Sequence, residues 1–231
     1  MVLAGGLGTR VREITNDEIP KVLLPVLGKP FLYYKLASLW EMGVTSTTVL
    51  TGQLGHLVDD YIQTNPIAGM HITTVHDGPK LLGTAGAIAR SLDHLPTSFW
   101  VTYGDSYVTA DLSAAESRAI ELKVSAVMTV YRNRDRIQPS NVSVIDDFIV
   151  RYEKGAPPGT FEWIDYGLMF LPKSAFKGIP TSSKSDLSFV LMSLLASKQL
   201  IGFEALHRFW DIGTSDALRD TERHFQSWHI L

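Results

Sequence analysis

The chain opens with an apolar run, Met1 to Ala4, that breaks into Gly5-Gly6-Leu7-Gly8-Thr9-Arg10. An apolar run ahead of clustered glycines reads as a short buried strand leaving its sheet through a sharp turn. Glycine has no Cβ, so backbone N–H groups in that turn can come up close to a ligand. Successive N–H groups make an anion-binding concavity, which a following helix N-terminus would strengthen. Arg10 ends the loop with a planar fork suited to phosphate oxygens. Pro20-Lys21 adds a second cation at a stiff point in the chain. Together these residues describe a cradle for several phosphates. The competing reading, a strand-to-helix turn with no ligand, explains the glycines but not the two cations. Two other glycine-loop readings fail. A dinucleotide fingerprint counted from Gly6 meets Val11 where its last glycine belongs, and the Gly28-Lys29 pair is followed by Pro30 rather than by Ser or Thr.

Bulk properties narrow the classes. A net charge of −3 over 231 residues argues against a general nucleic-acid binder. With no cysteine there is neither a disulfide framework nor a thiolate metal site, which fits a reducing, cytoplasmic setting. No apolar run is long enough to span a bilayer and no leader is evident, so no membrane partner is expected.

Strand and helix alternate through the first part of the chain. Strands are expected at Thr45–Leu50, His71–Val75, Phe99–Tyr103 and Val124–Tyr131. Helices are expected from Pro30 to a stop at Gly43, and over Leu54–Ile62, Ala85–Leu92 and Leu112–Leu122. This alternation predicts an α/β, Rossmann-like three-layer sandwich with a mostly parallel mixed central sheet, whose ligands lie at the carboxyl ends of strands. The pattern then changes. Asn141–Ile145 and Phe148–Glu153 flank Asp146-Asp147 as a hairpin, Gly155–Gly159 is a loop, and Trp163–Leu171 is a strand. Leu187–Ala196 reads as a helix, Phe209–Ile212 as a short strand, and a last helix starts near Ser215. No linker divides the chain. A single domain over 1–231 is expected.

The run L-A-G-G-L-G-T-R, then P-K, then P-V-L-G-K-P-F-L, resembles the signature of the sugar-phosphate nucleotidyltransferases. The resemblance implies the nucleotide-diphospho-sugar transferase fold, with a nucleotide-binding half over 1–135 and a sugar-phosphate-binding half over 136–231. It also implies a reaction, in which a sugar 1-phosphate attacks the α-phosphate of a nucleoside triphosphate and releases pyrophosphate. The nucleotide would lie on Leu3, Ala4, Gly5, Gly6, Gly8 and Thr9, with its phosphates on Arg10 and Lys21. Relatives usually carry a few more residues before the first strand.

Later motifs gain meaning from this resemblance. Gly104-Asp105 ends an apolar strand, where an isolated aspartate most often caps a turn. Asp211, in Trp210-Asp211-Ile212-Gly213-Thr214, also sits at a strand end, with Thr214 placed to cap the next helix. By resemblance Asp105 and Asp211 share Mg²⁺, a hard cation that prefers oxygen ligands. Glu153-Lys154 follows the hairpin. The resemblance gives Lys154 the phosphate of the sugar 1-phosphate and Glu153 a sugar hydroxyl, with Asp165 and Gly167 on the sugar-facing strand, where the family often has Asn-x-Gly. Leu82-Gly83-Thr84-Ala85-Gly86 suits close helix packing, and by resemblance Gly83 and Thr84 also face base and ribose, with Gln53 and Tyr103 as further base-pocket candidates.

Gly78-Pro79-Lys80 stands where many uridylyl- and thymidylyltransferases carry Gln-Pro. This, with Pro139-Ser140-Asn141-Val142 and Asp165-Tyr166-Gly167, is similar to guanylyltransferases for mannose or manno-heptose 1-phosphate. GTP with Mg²⁺ is therefore the expected nucleotide. Uridylyl, thymidylyl or cytidylyl transfer and a catalytically dead regulatory subunit are the alternatives, and homo-oligomerisation is left open. The seven histidines are scattered and read as structural or surface groups. The attacking phosphate oxygen is already ionised, so the reaction needs no Ser-His-Asp base.

Overall fold

The computed structural model describes residues 1–6, 8–78 and 80–228. Leu7 of the glycine loop, Pro79 of the Gly78-Pro79-Lys80 motif and the side chain expected to act at Thr9 lie outside what is described. In chain order the elements are β1 (Val2–Ala4), α1 (Arg12–Thr15), β2 (Pro25–Val26), β3 (Lys29–Pro30), α2 (Phe31–Glu41), β4 (Ser46–Thr51), α3 (Gly55–Thr64), β5 (His71–His76), α4 (Gly83–Ser91), β6 (Ser98–Tyr103), β7 (Ser106–Tyr107), α5 (Leu112–Glu121), β8 (Ala126–Arg132), β9 (Val142–Ile145), β10 (Phe148–Tyr152), β11 (Trp163–Pro172), α6 (Leu187–Ala196), β12 (Leu200–Glu204), β13 (Trp210–Asp211) and α7 (Ser215–Trp228). The fold is α/β with a mixed sheet.

The chain forms two compact units. The first comprises Met1–Leu81, Thr102–Val108 and Phe209–Leu231, and the second Leu82–Val101 and Thr109–Arg208. The segment carrying Asp211 thus returns to the unit that contains the glycine loop.

In the first unit β5, β4, β1 and the carboxyl end of β6 lie in that order, with every ladder parallel. Their carboxyl ends share one edge, which brings Ala4, Thr51, His76 and Tyr103 to the same end of the sheet. Helix α2 is apolar on two faces. Leu32, Leu36 and Leu39 pack with Val2, Val22, Val49 and Val58, while Phe31 and Tyr34 pack with Leu24, Val26, Tyr107, Ile212 and Phe225. Pro30 is the N-cap (ψ 141°), not the first helical residue, because it is still paired with Pro25 in the β2–β3 hairpin. Gly43 ends α2 as expected, in the left-handed region at φ 84°.

In the second unit the order is β6, β11, β8, β12, β10, β9. Antiparallel pairs predominate: β11 with β8, β10 with β12, and β9 with β10. The expected hairpin is present. Asp146 and Asp147 both have positive φ, 48° and 70°, the geometry a two-residue hairpin turn demands. Strand β12, parallel to β8, was not foreseen. Its central Gly202 weakens the strand pattern in sequence, and a Cβ there would stand 3.0 Å from Ile149 Cδ1 and 3.2 Å from Val144 Cγ2, a tight fit against side-chain ends.

Candidate active site

The end of β1 carries the glycine loop. Gly5 and Gly52, which follows β4, cross backbone to backbone, and a Cβ on Gly52 would lie 2.7 Å from the Gly5 carbonyl oxygen. Gly6 is different: nothing stands within 4 Å of where its Cβ would be, so that side of the loop is open to a ligand. Gly8 takes the left-handed conformation (φ 60°) and opens a single 3-10 turn, Thr9–Val11, which runs into the short helix α1. The loop is therefore followed by short turns rather than by a long helix. An anion at this loop would rest mainly on the loop amides and nearby cations, because so short a segment carries little dipole.

Lys21 begins a 3-10 turn whose N-cap is Pro20, held by Leu23 N donating to the Pro20 carbonyl at 2.8 Å. Its Nζ reaches Asp105 Oδ2 at 2.6 Å, with side chains only 11 % and 31 % exposed. Asp105 is carried out of β6 by Gly104, whose N–H donates to Leu3 O at 2.9 Å. A Cβ on Gly104 would stand 2.9 Å from that same oxygen, so β1 and β6 can close up here only around a glycine. Strands β7 and β13 pair antiparallel with Asp211 opposite Ser106, which brings the second aspartate to the neighbour of the first. Asp211 Oδ1 accepts from Gly213 N at 2.7 Å, and Thr221 Oγ1 donates to the Asp211 carbonyl at 2.7 Å, fixing the strand to α7. Thr214 caps α7 as expected, its Oγ1 accepting from Ala217 N at 3.1 Å.

Burial raises the Asp211 carboxyl pKa, and the negative field of Asp105 pushes the same way, against the Gly213 amide, Lys21 and Arg10. A buried carboxylate whose ionisation is opposed by a second carboxylate beside it is a donor set that a divalent cation would relieve. Among the described residues no cluster of three or more His, Cys, Asp or Glu forms. A cation here would take two protein carboxylates and complete its shell from phosphates and water, the usual habit of Mg²⁺. The Nη2 of Arg10 and Nζ of Lys21 stand 3.5 and 3.7 Å from the Cβ that Gly213 lacks, so both cations gather beside Asp211.

Two neighbours in this unit were not singled out in the sequence. Asp77 follows β5 as Asp105 follows β6. It is buried, with Oδ2 3.6 Å from where a Gly5 Cβ would be. The shared signal, an aspartate just past a strand, could have found it. Thr51 Oγ1 lies 2.8 Å from His76 Nδ1, and His76 Nε2 lies 2.9 Å from Asp59 Oδ2. The order hydroxyl–imidazole–carboxylate mimics a hydrolase triad, but Thr51 is 1 % exposed and cannot reach a substrate. The histidine is structural, tying α3 to the ends of β4 and β5. Gln53, the base-pocket candidate, sits exposed just after β4.

The second unit holds the remaining candidates. Lys154 Nζ pairs with Asp186 Oδ1 at 3.0 Å, and Asp186 also caps α6 by accepting from Ser188 N at 2.8 Å. Burial opposes ionisation of Asp186, yet the Ser188 donors and Lys154 outweigh it and hold the pKa at about 2. Asp186 was missed in sequence because its cap position says nothing about a lysine more than thirty residues away. Glu153 pairs with Arg151 at 2.6 Å on the exposed hairpin end. Gly167, at φ 82°, lies in an irregular stretch of β11 where the register with β8 shifts, and its N–H donates to Asp165 Oδ1 at 2.9 Å.

Burial pushes the Asp165 carboxyl up to about 6, against the Gly167 amide, Lys154 and Tyr152. An acid raised from 3.8 to about 6 keeps its proton in the folded state while the unfolded chain has lost it. Stability is therefore lost as pH rises through that window and stays lower above it. Asp165→Asn removes the ionisation. It is expected to stabilise the protein at pH 7 by about 1–3 kcal/mol, and to flatten stability against pH between pH 4 and 6, as read by chemical denaturation across that range. Equal slopes in the two proteins would refute the assignment.

Thr84 Oγ1 accepts from Leu187 N at 2.7 Å, and a Cβ on Gly83 (φ 70°) would meet the Ser185 carbonyl at 2.6 Å. These contacts are the close helix packing that small residues permit, so both residues have a structural duty whatever else they touch.

A glycine loop, two cations and two carboxylates thus meet at the strand ends of the first unit. The family model described as Nucleotidyl transferase matches residues 1–227, and the chain belongs to that family. It is 29 % identical over 232 residues to the N-acetylmuramate alpha-1-phosphate uridylyltransferase of Neisseria meningitidis serogroup B, covering 99 % of this chain and 98 % of that one. It is 26 % identical to the D-glycero-alpha-D-manno-heptose 1-phosphate guanylyltransferase of Aneurinibacillus thermoaerophilus, again over 99 % and 98 %. The crystal structure of HddC from Yersinia pseudotuberculosis complexed with GMP-PN superposes with a TM-score of 0.78 over 97 % of both chains at 24 % identity, which establishes the shared fold. Sugar-1-phosphate nucleotidyl transfer is the activity of this class. Among the described residues no helix is long and apolar enough to cross a membrane.

Proposed function

We propose that this enzyme transfers a guanylyl group from GTP to a manno-configured sugar 1-phosphate, heptose or mannose. The observation that carries the chemistry is the meeting of Asp105 and Asp211 beside Lys21 and Arg10. Backbone N–H groups of Gly5, Gly6 and Gly8 and the side chains of Arg10 and Lys21 bind the triphosphate. Lys154 binds the sugar phosphate, exchanging part of its pairing with Asp186 for the incoming anion. Glu153 and Asp165 orient the sugar. An already ionised phosphate oxygen forms a bond to the α-phosphorus as the bond to the β-phosphate bridging oxygen breaks and pyrophosphate leaves. No general base is required, so catalysis is positioning plus charge stabilisation. Mg²⁺, when bound by Asp105 and Asp211, supplies neutralisation of phosphate charge. The reaction belongs in the cytoplasm, where nucleoside triphosphates are made.

The choice of GTP is supported by Gly78-Pro79-Lys80 in place of Gln-Pro and by the full-length heptose guanylyltransferase relative. A second reading, UTP with N-acetylmuramate 1-phosphate, is favoured by the relative at 29 % identity. Pyrophosphate release with Mg²⁺, each nucleoside triphosphate and a panel of sugar 1-phosphates separates them. Release is expected with GTP and manno-heptose or mannose 1-phosphate. Release with UTP and N-acetylmuramate 1-phosphate alone would select the second reading.

A further inference from the structure

Lys35 is 0 % exposed in the middle of α2. Burial of an ammonium is costly unless it is hydrogen-bonded, and a methionine of similar length would fill the same space without that cost. Here Nζ donates to Thr102 Oγ1 at 2.7 Å and to the Ser106 carbonyl at 2.8 Å. Those two acceptors flank Tyr103-Gly104-Asp105, the turn that carries Asp105 out of β6. Ser106 is also the residue paired with Asp211 across the β7–β13 ladder. One amine thus grips both ends of the turn bearing the first carboxylate and the strand that aligns the second.

We propose that Lys35 is a positioning residue that sets the Asp105–Asp211 spacing by clamping Thr102 to Ser106; this rests on the reading of that pair as a metal site. Lys35 touches no substrate group and acts through the turn alone. Burial lowers its pKa to about 7, against the field of Asp105.

The test uses Mn²⁺ as a spectroscopic substitute for Mg²⁺, with free Mn²⁺ followed by electron paramagnetic resonance alongside steady-state kinetics. Lys35→Met is expected to keep or raise the melting temperature, to weaken Mn²⁺ binding about tenfold, and to lower kcat about 10- to 100-fold with KM for the sugar phosphate within about threefold. Thr102→Val, which removes one acceptor and keeps the shape, is expected to weaken Mn²⁺ binding about threefold. If Lys35→Met does not fold, that variant decides alone. Wild-type Mn²⁺ affinity in a folded Lys35→Met protein, or in Thr102→Val where the first is unfolded, would overturn the clamp and leave the metal-site reading standing. A wild-type protein that binds no Mn²⁺ would reject the metal-site reading, and the clamp with it.

Discussion

Asp105→Asn is expected to lower kcat on the order of 10²-fold or more, while the far-ultraviolet and near-ultraviolet circular dichroism stay those of the parent. The carboxylate is central to the first unit's charge arrangement: Lys21 Nζ sits 2.6 Å from it and Asp211 feels its field. The amide keeps the shape but removes the charge that would hold a cation against Asp211. Lys21→Ala should be comparably inactive for a different reason. It removes a positive charge beside Asp105 but no candidate metal ligand, so its deficit should persist as Mg²⁺ is raised, whereas that of Asp105→Asn, which weakens the site for the cation, should shrink. Single-turnover pyrophosphate release at varied Mg²⁺ distinguishes the two. Near-parental turnover in either variant would remove that residue from the chemistry.

Gly52→Ala is expected to destabilise the protein by about 2–3 kcal/mol, which for a chain of this size lowers Tm by roughly 5–10 °C. The added Cβ would meet the Gly5 carbonyl oxygen and Leu81 Cδ2, both at 2.7 Å. A backbone oxygen cannot swing aside as a side chain can, so β1 and β4 must part at their carboxyl ends and displace the glycine loop. Gly6→Ala is the matched control. Its Cβ meets nothing within 4 Å, so Tm should hold within about 1 °C, and the cost should fall on KM for the nucleoside triphosphate. Differential scanning calorimetry and initial rates on the two proteins separate a glycine required by the fold from one required by the ligand. A stable Gly52→Ala, or a nucleotide KM unmoved in Gly6→Ala, would contradict this division.

Much of this arrangement was legible in the sequence because it is local. An apolar run before clustered glycines reads as a strand leaving a sheet sharply, and the alternation of strands with helical stretches up to Tyr103 matches the parallel ladders of the first unit, whereas β8 pairs antiparallel with β11 and parallel only with β12. Leu187–Ala196 is a helix to the residue, bounded by Asp186 as its cap. Asp146-Asp147 forms the hairpin turn because two adjacent aspartates tolerate positive φ.

Tertiary structure decided what depends on residues far apart in the chain. The placing of Asp211 beside Asp105 follows from a two-residue antiparallel ladder, Trp210–Asp211 against Ser106–Tyr107, too short to leave a sequence period. The pairing of Lys154 with Asp186 and the burial of Lys35 against Thr102 and Ser106 arise in the same way. A lysine in a helix reads as a solvated side chain until the packing around it is known. Local sequence determines backbone conformation through steric and hydrogen-bonding preferences that act over a few residues. Which charges meet, and how far burial shifts them, is set only when the sheet closes and removes water from between them.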